Sequence, residues 1–148
     1  MWYKGDKHMK KTIILAAVFV ILHHVIGIGV YYILQQNIMM PTRVIGALYL
    51  VGWGALSFWL YQKNTSMKEH LTYMSVPVVV LFGLFTPLAN LLNISMLLMY
   101  FAPMFSFATT IVYMTTSYAT WKVLVVAIII MILVAWLGAK MKQSESMF

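Results

Sequence analysis

From Thr12 to Leu34 the chain reads TIILAAVFVILHHVIGIGVYYIL, without one Asp, Glu, Lys or Arg. As a helix rising about 1.5 Å per residue, such a run reaches across the ~30 Å hydrocarbon core of a bilayer. A soluble core helix of that length would carry a polar stripe; this one holds only the pair His23 and His24 near its middle. Lys10 and Lys11 stop the run on one side, and Gln35, Gln36 and Asn37 on the other. The preceding lysines look like the n-region of a signal peptide, but the apolar run exceeds the usual 7–15 residues or so of an h-region. Bulky Val30, Tyr31 and Tyr32 stand where a cleavage site would need small side chains. A retained membrane helix is therefore expected.

Composition extends that reading to the whole chain. Of its 148 residues 63% are hydrophobic and 9% charged, against about a quarter charged in soluble domains. The net charge of +7 would suggest nucleic acid in a soluble protein. Here the basic residues fall between apolar runs, where they set topology and meet anionic headgroups, so nucleic acid is not an expected partner. No cysteine is present, which excludes disulfides, thiolate chemistry and cysteine-based metal sites.

The pattern predicts one all-α domain over residues 1–148, a polytopic membrane bundle with helices near 12–34, 44–61, 71–90, 95–117 and 121–139. Lys4, Lys7, Lys10 and Lys11 beside the first helix place the N-terminus in the cytoplasm. Residues 71–118 carry no charge and are long enough for two crossings, with the break expected at PLANLLNIS, residues 87–95. Pro77 and Pro103 predict kinks within the two helices. Five crossings would leave Arg43, Lys140 and Lys142 outside. With four crossings Lys140 and Lys142 move inside and Lys122 outside, a more lopsided split that suits the positive-inside bias. Length favours five, and five is the expectation taken, with four as the alternative.

Small residues mark helix faces that a neighbour can approach closely. On the first helix these are Ala16, Val20, His23 and Gly27; on the second, Ala47, Gly54 and Ser57. Ile129 is expected to face lipid. His23 and His24 point about 100° apart, so they cannot serve one ligand equally. Their functional reading is a haem or metal ligand or a proton relay; the structural one is a neutral imidazole bonded to Ser57, Thr86 or Asn90. The structural reading is preferred, because no Asp or Glu lies at that depth and His8 and His70 fall in polar flanks. Thr86, Asn90 and Asn93 form a polar cluster that fits an external turn better than a broken-helix substrate site. Thirteen methionines lack a repeated copper-binding spacing and suit packing. No nucleophile elbow, phosphate loop or buried acid–base pair occurs.

The expected function is non-catalytic: a small accessory, regulatory or immunity-type protein of the cell membrane, multi-pass, without a cofactor. It would act by helix packing with a membrane-protein partner or with further copies of itself. The alternatives are a small oligomeric transporter or channel, and a haem- or quinone-binding redox subunit resting on His23 and His24.

Overall fold

A computed structural model of the protein describes residues 3–34, 39–91, 111 and 120–145. Asn93, the fourth expected helix apart from Ile111, and the side chains of His24, Gly27, Thr86 and Asn90 lie outside the described residues. Within them the chain forms four α-helices: α1 Tyr3–Leu34, α2 Met39–Leu60, α3 Met67–Leu91 and α4 Thr120–Glu145.

The helix starts follow local chemistry. α1 begins inside the basic flank, so exposed Lys7, Lys10 and Lys11 ride on its first turns. α2 has Pro41 in its first turn, where a missing N–H removes no intrahelical bond. α3 starts four residues before the expected Leu71 because Ser66 and Glu69 form a capping box. The Glu69 N–H donates to Ser66 Oγ at 3.2 Å, and the Ser66 N–H donates to Glu69 Oε2 at 3.1 Å. α3 then runs through Pro77, which is buried, as far as Leu91. α4 extends past Ala139, and Lys142 pairs with Glu145 at 2.9 Å in its last turn.

Each helix turns one line of residues inward, spaced three or four apart as 3.6 residues per turn require. The lines are Thr12, Ala16, Val20 and His23 on α1, and Tyr49, Trp53, Ser57 and Leu60 on α2. His70, Met74, Val78 and Phe82 form the line on α3, and Val123, Ala127, Met131, Ala135 and Ala139 that on α4. Trp53, Phe82, Met74 and Met131 are the bulkiest fully buried hydrophobic side chains and fill the middle of the bundle. The outward faces are also apolar, with Val18, Leu48, Val51, Leu84, Ile129 and Leu133 among the exposed side chains. Among the described residues, Trp121–Glu145 is the one helix long and apolar enough to cross a membrane, and Val44–Leu60 is a shorter apolar helix.

Around the bundle the helices follow the order α1, α2, α4, α3. α1 and α2 are antiparallel: Phe19 stacks on Tyr49 and Trp53, His23 on Tyr49, and Lys11 sits 4.6 Å over Trp59. α2 and α4 are parallel. Trp53 Nε1–H donates to the Met131 carbonyl at 2.9 Å, and Ser57 Oγ–H to the Ala135 carbonyl at 2.6 Å. Two turns past Ala135, Lys142 lies 4.7 Å over Phe58, the residue after Ser57.

This direction of α4 differs from the order that the five-crossing expectation gives the chain's end. That expectation put Lys140 and Lys142 opposite Lys11, whereas Lys11 lies over Trp59 and Lys142 over its neighbour Phe58. The chain leaves α3 and enters α4 at the same end of the bundle. Length alone suggested an odd number of passes; the hydrogen bonds between α2 and α4 fix the direction instead. Lys4, Lys7, Lys10, Lys11, Lys63, Lys68, Lys140 and Lys142 then belong to one end, eight of the ten basic residues, with Arg43 and Lys122 at the other.

Candidate functional site

The inward lines bring a set of polar side chains into the bundle, Thr12, Ser57 and His70 toward the basic end and His23 deeper. Thr12, His23, Ser57 and His70 are all fully buried. Ser57 and His70 come from helices on opposite corners and meet across the middle, with Oγ 2.9 Å from Nε2. Ser57 has one hydroxyl proton, and the Ala135 carbonyl receives it. Its oxygen must therefore accept from His70, which fixes the proton of that imidazole on Nε2. Three helices are tied at one oxygen atom.

The other ring nitrogen, His70 Nδ1, is buried without a hydrogen-bond partner, as are His8 Nε2 and Thr12 Oγ1. Tyr61 meets the His70 ring edge-on, with centroids 5.3 Å apart at 88°. Burial, and then the charge that His8 would carry, pushes the His70 pKa down to about 4. His8 is also lowered, first by burial and then by Lys11. In both imidazoles burial disfavours the charged form, and a neighbouring positive charge acts in the same direction.

Deeper in the bundle, the His23 ring lies 4.6 Å from Tyr49 and 6.3 Å from Phe82, centroid to centroid. The Tyr49 hydroxyl donates to the Phe19 carbonyl, fastening α2 to α1 at the same level. Aromatic rings thus flank the imidazole that the sequence singled out. Among the described residues no group of three or more His, Cys, Asp or Glu is placed to hold a metal ion.

The expected packing residues divide. Ala16, His23 and Ser57 are buried, and Gly54 lies against Val134 of α4. Ala47 is exposed, and Gly46 and Tyr49 occupy the inward positions near it. Ala47 stands two residues from Tyr49 and so turns about 200° away from the inward line. Ile129 is half exposed, on the outer face of α4.

Sequence reasoning passed over three residues that the fold uses. His70 was assigned to a polar loop, although Ser66 and Glu69 spell a capping box that would have placed it on the first turn of α3. Trp53 was not singled out, yet its indole N–H joins α2 to α4. Gly138 was not noticed either, and a Cβ there would run into the Gly54 carbonyl and approach the Phe58 nitrogen to 3.2 Å. The two helix backbones touch at Gly54 and Gly138. Comparison with protein-family models, with curated proteins and with solved structures gives no match to this chain.

Proposed function

We propose that the protein is a multi-pass membrane protein, with its basic end in the cytoplasm, that acts as a non-catalytic accessory, regulatory or immunity-type subunit. The observation that carries this reading is an outer surface as apolar as the core, around a core that also holds polar side chains. Thr12, His23, Ser57 and His70 are buried, while Ile14, Val18, Leu48, Val51, Leu84, Leu133 and Leu137 face outward. In water the outward residues would form an apolar surface on every side; in lipid they are solvated and the buried polar groups join helices. The gathering of eight basic residues at one end supports a cytoplasmic location for that end. Large side chains along the axis support a role played through the outer faces rather than through a path down the middle.

This reading implies an even number of crossings. Reporter fusions after Asn64 and after Gln143 are expected to give the same, cytoplasmic answer. Opposite answers would restore the five-crossing order and reject the parallel pairing of α2 and α4. For the accessory role, photo-crosslinkers at Leu48 and Val51, both exposed on α2, are expected to give one discrete adduct in native membranes. Solute or ion flux through liposomes holding the purified protein alone would overturn that role.

A further inference from the structure

An open groove of about 690 Å³ runs along the outside of the seam between α3 and α4. Its floor and sides are apolar: Leu71, Val76, Val79 and Val80 from α3 face Trp136 from α4. Two hydroxyls border it, but both are spent on their own helix. Thr72 Oγ1 donates to the Lys68 carbonyl at 2.9 Å, and Ser75 Oγ to the Leu71 carbonyl at 2.6 Å. Such back-bonding satisfies both hydroxyl protons within α3.

The mouth is different. Lys68 lines it, and the Lys140 ammonium stands 4.7 Å over the Trp136 ring. Among the described residues neither lysine is paired with a carboxylate; Glu145, at the end of α4, is paired with Lys142. From Met67 to Val80 the groove rises about 20 Å along α3, enough to pass through one leaflet's share of a ~30 Å hydrocarbon core. One occupant has this combination of a long apolar body and an anionic head at the basic end.

We propose that the groove between α3 and α4 binds an anionic phospholipid of the cytoplasmic leaflet, its phosphate held by Lys68 and Lys140 and an acyl chain lying along Leu71, Val76 and Val80. The inference rests on the membrane reading above, with the basic end cytoplasmic. It adds a particular lipid class at a particular place. A zwitterionic lipid would fill the apolar groove equally well but would bring its own cation to the two lysines.

The test uses the full chain purified in mild detergent and titrated with phosphatidylglycerol or phosphatidylcholine, with bound lipid counted by native mass spectrometry. Phosphatidylglycerol is expected to bind the more tightly of the two. Lys68→Gln combined with Lys140→Gln should weaken it about 10- to 30-fold, at roughly one headgroup interaction per lysine, and leave phosphatidylcholine unchanged. Lys7→Gln combined with Lys11→Gln removes the same charge from the same end on α1, which does not line the groove, and should leave both lipids as they were. Val79→Trp, at a half-exposed site, should displace both lipids by filling the groove. Equal binding of the two lipids by the unaltered protein would overturn the proposal. So would a matching loss in the Lys7 and Lys11 variant, which would mean a diffuse charge effect. Alkaline carbonate extraction of membranes separates the two levels. Release into the supernatant would reject both the membrane reading and the groove, whereas a retained protein without lipid preference would reject the groove alone.

Discussion

The seam between α2 and α4 and the seam between α1 and α3 solve the same problem by different means. Along α2 and α4 the backbones meet: Gly138 leaves room for the Gly54 carbonyl, and Trp53 and Ser57 donate to main-chain oxygens of the facing helix. Along α1 and α3 the side chains meet, with the His23 ring against Phe82 and His8 close enough to His70 to oppose its charge. A backbone cannot move aside for a new side chain, whereas a ring or an imidazole can change rotamer. The first seam is therefore the intolerant one, and the second is the one that buries titratable imidazole at its basic end.

Gly138→Leu should break that comparison most severely. The new side chain would start inside the Gly54 carbonyl, so the helices must separate and give up the bonds from Trp53 and Ser57. A loss of about 3 kcal/mol or more is expected, read as a fall in the detergent melting temperature and in membrane abundance. Gly83→Ala is the matched control: nothing lies within 4 Å of a Cβ there, and the exchange should stabilise the helix by up to about 1 kcal/mol. If the two glycine variants melt alike, the backbone contact between α2 and α4 is not made.

Ser57→Ala comes next in size. It would leave His70 Nε2–H without its acceptor and take from the Ala135 carbonyl the bond it receives besides its helical one, while leaving the packing volume nearly unchanged. Burying unsatisfied groups in this way costs about 1–3 kcal/mol. Ser57→Thr keeps the hydroxyl and should retain more of the stability. An alanine variant as stable as the parent in detergent melts would show that the three helices are not joined at this oxygen.

Acid should act on the α1–α3 seam and give the smallest, most gradual effect. A free histidine titrates near 6.5, and burial lowers His70 to about 4. Between those values the unfolded chain binds more protons than the folded one, so stability rises with pH across the interval. It is complete above about pH 6.5 and is lost progressively as pH falls toward 4. Melting measured from pH 7.5 to 4.5 should show that decline, and His70→Gln should flatten it. A slope that survives the glutamine change would assign the acid sensitivity elsewhere, with His8 the next group to replace because it is lowered in the same sense.

Much of the fold was legible in short windows of sequence. The uncharged run from Thr12 lies in α1, the apolar stretch from Val44 in α2 and the last run from Val123 in α4, although α1 starts nine residues before the expected bound, α2 five before, and α4 ends six past it. Ala16, Val20 and His23 were readable as an inward line because helical spacing is a local property. The inward line of α2 was misjudged at Ala47, where small size was taken for burial and the phase set by Tyr49 and Trp53 was not used. The candidate site was half legible. Ser57 and His23 were named, while His70 was set aside because its charge type matched the loop around it.

By itself the sequence determined that the chain is helical, apolar on both sides of its helices, and basic in its flanks. Those properties follow from composition and from spacing over one or two turns. Only the tertiary structure decided that α4 runs parallel to α2, that Gly138 meets Gly54, and that one serine oxygen joins three helices. Both donor–acceptor contacts from α2 to α4 span 78 residues, and the link from Ser57 to His70 spans 13. No local pattern carries the direction of a helix relative to a partner so far along the chain. A helix and its reversed neighbour present the same apolar face, and the choice is made by which backbone oxygen lies opposite a buried donor.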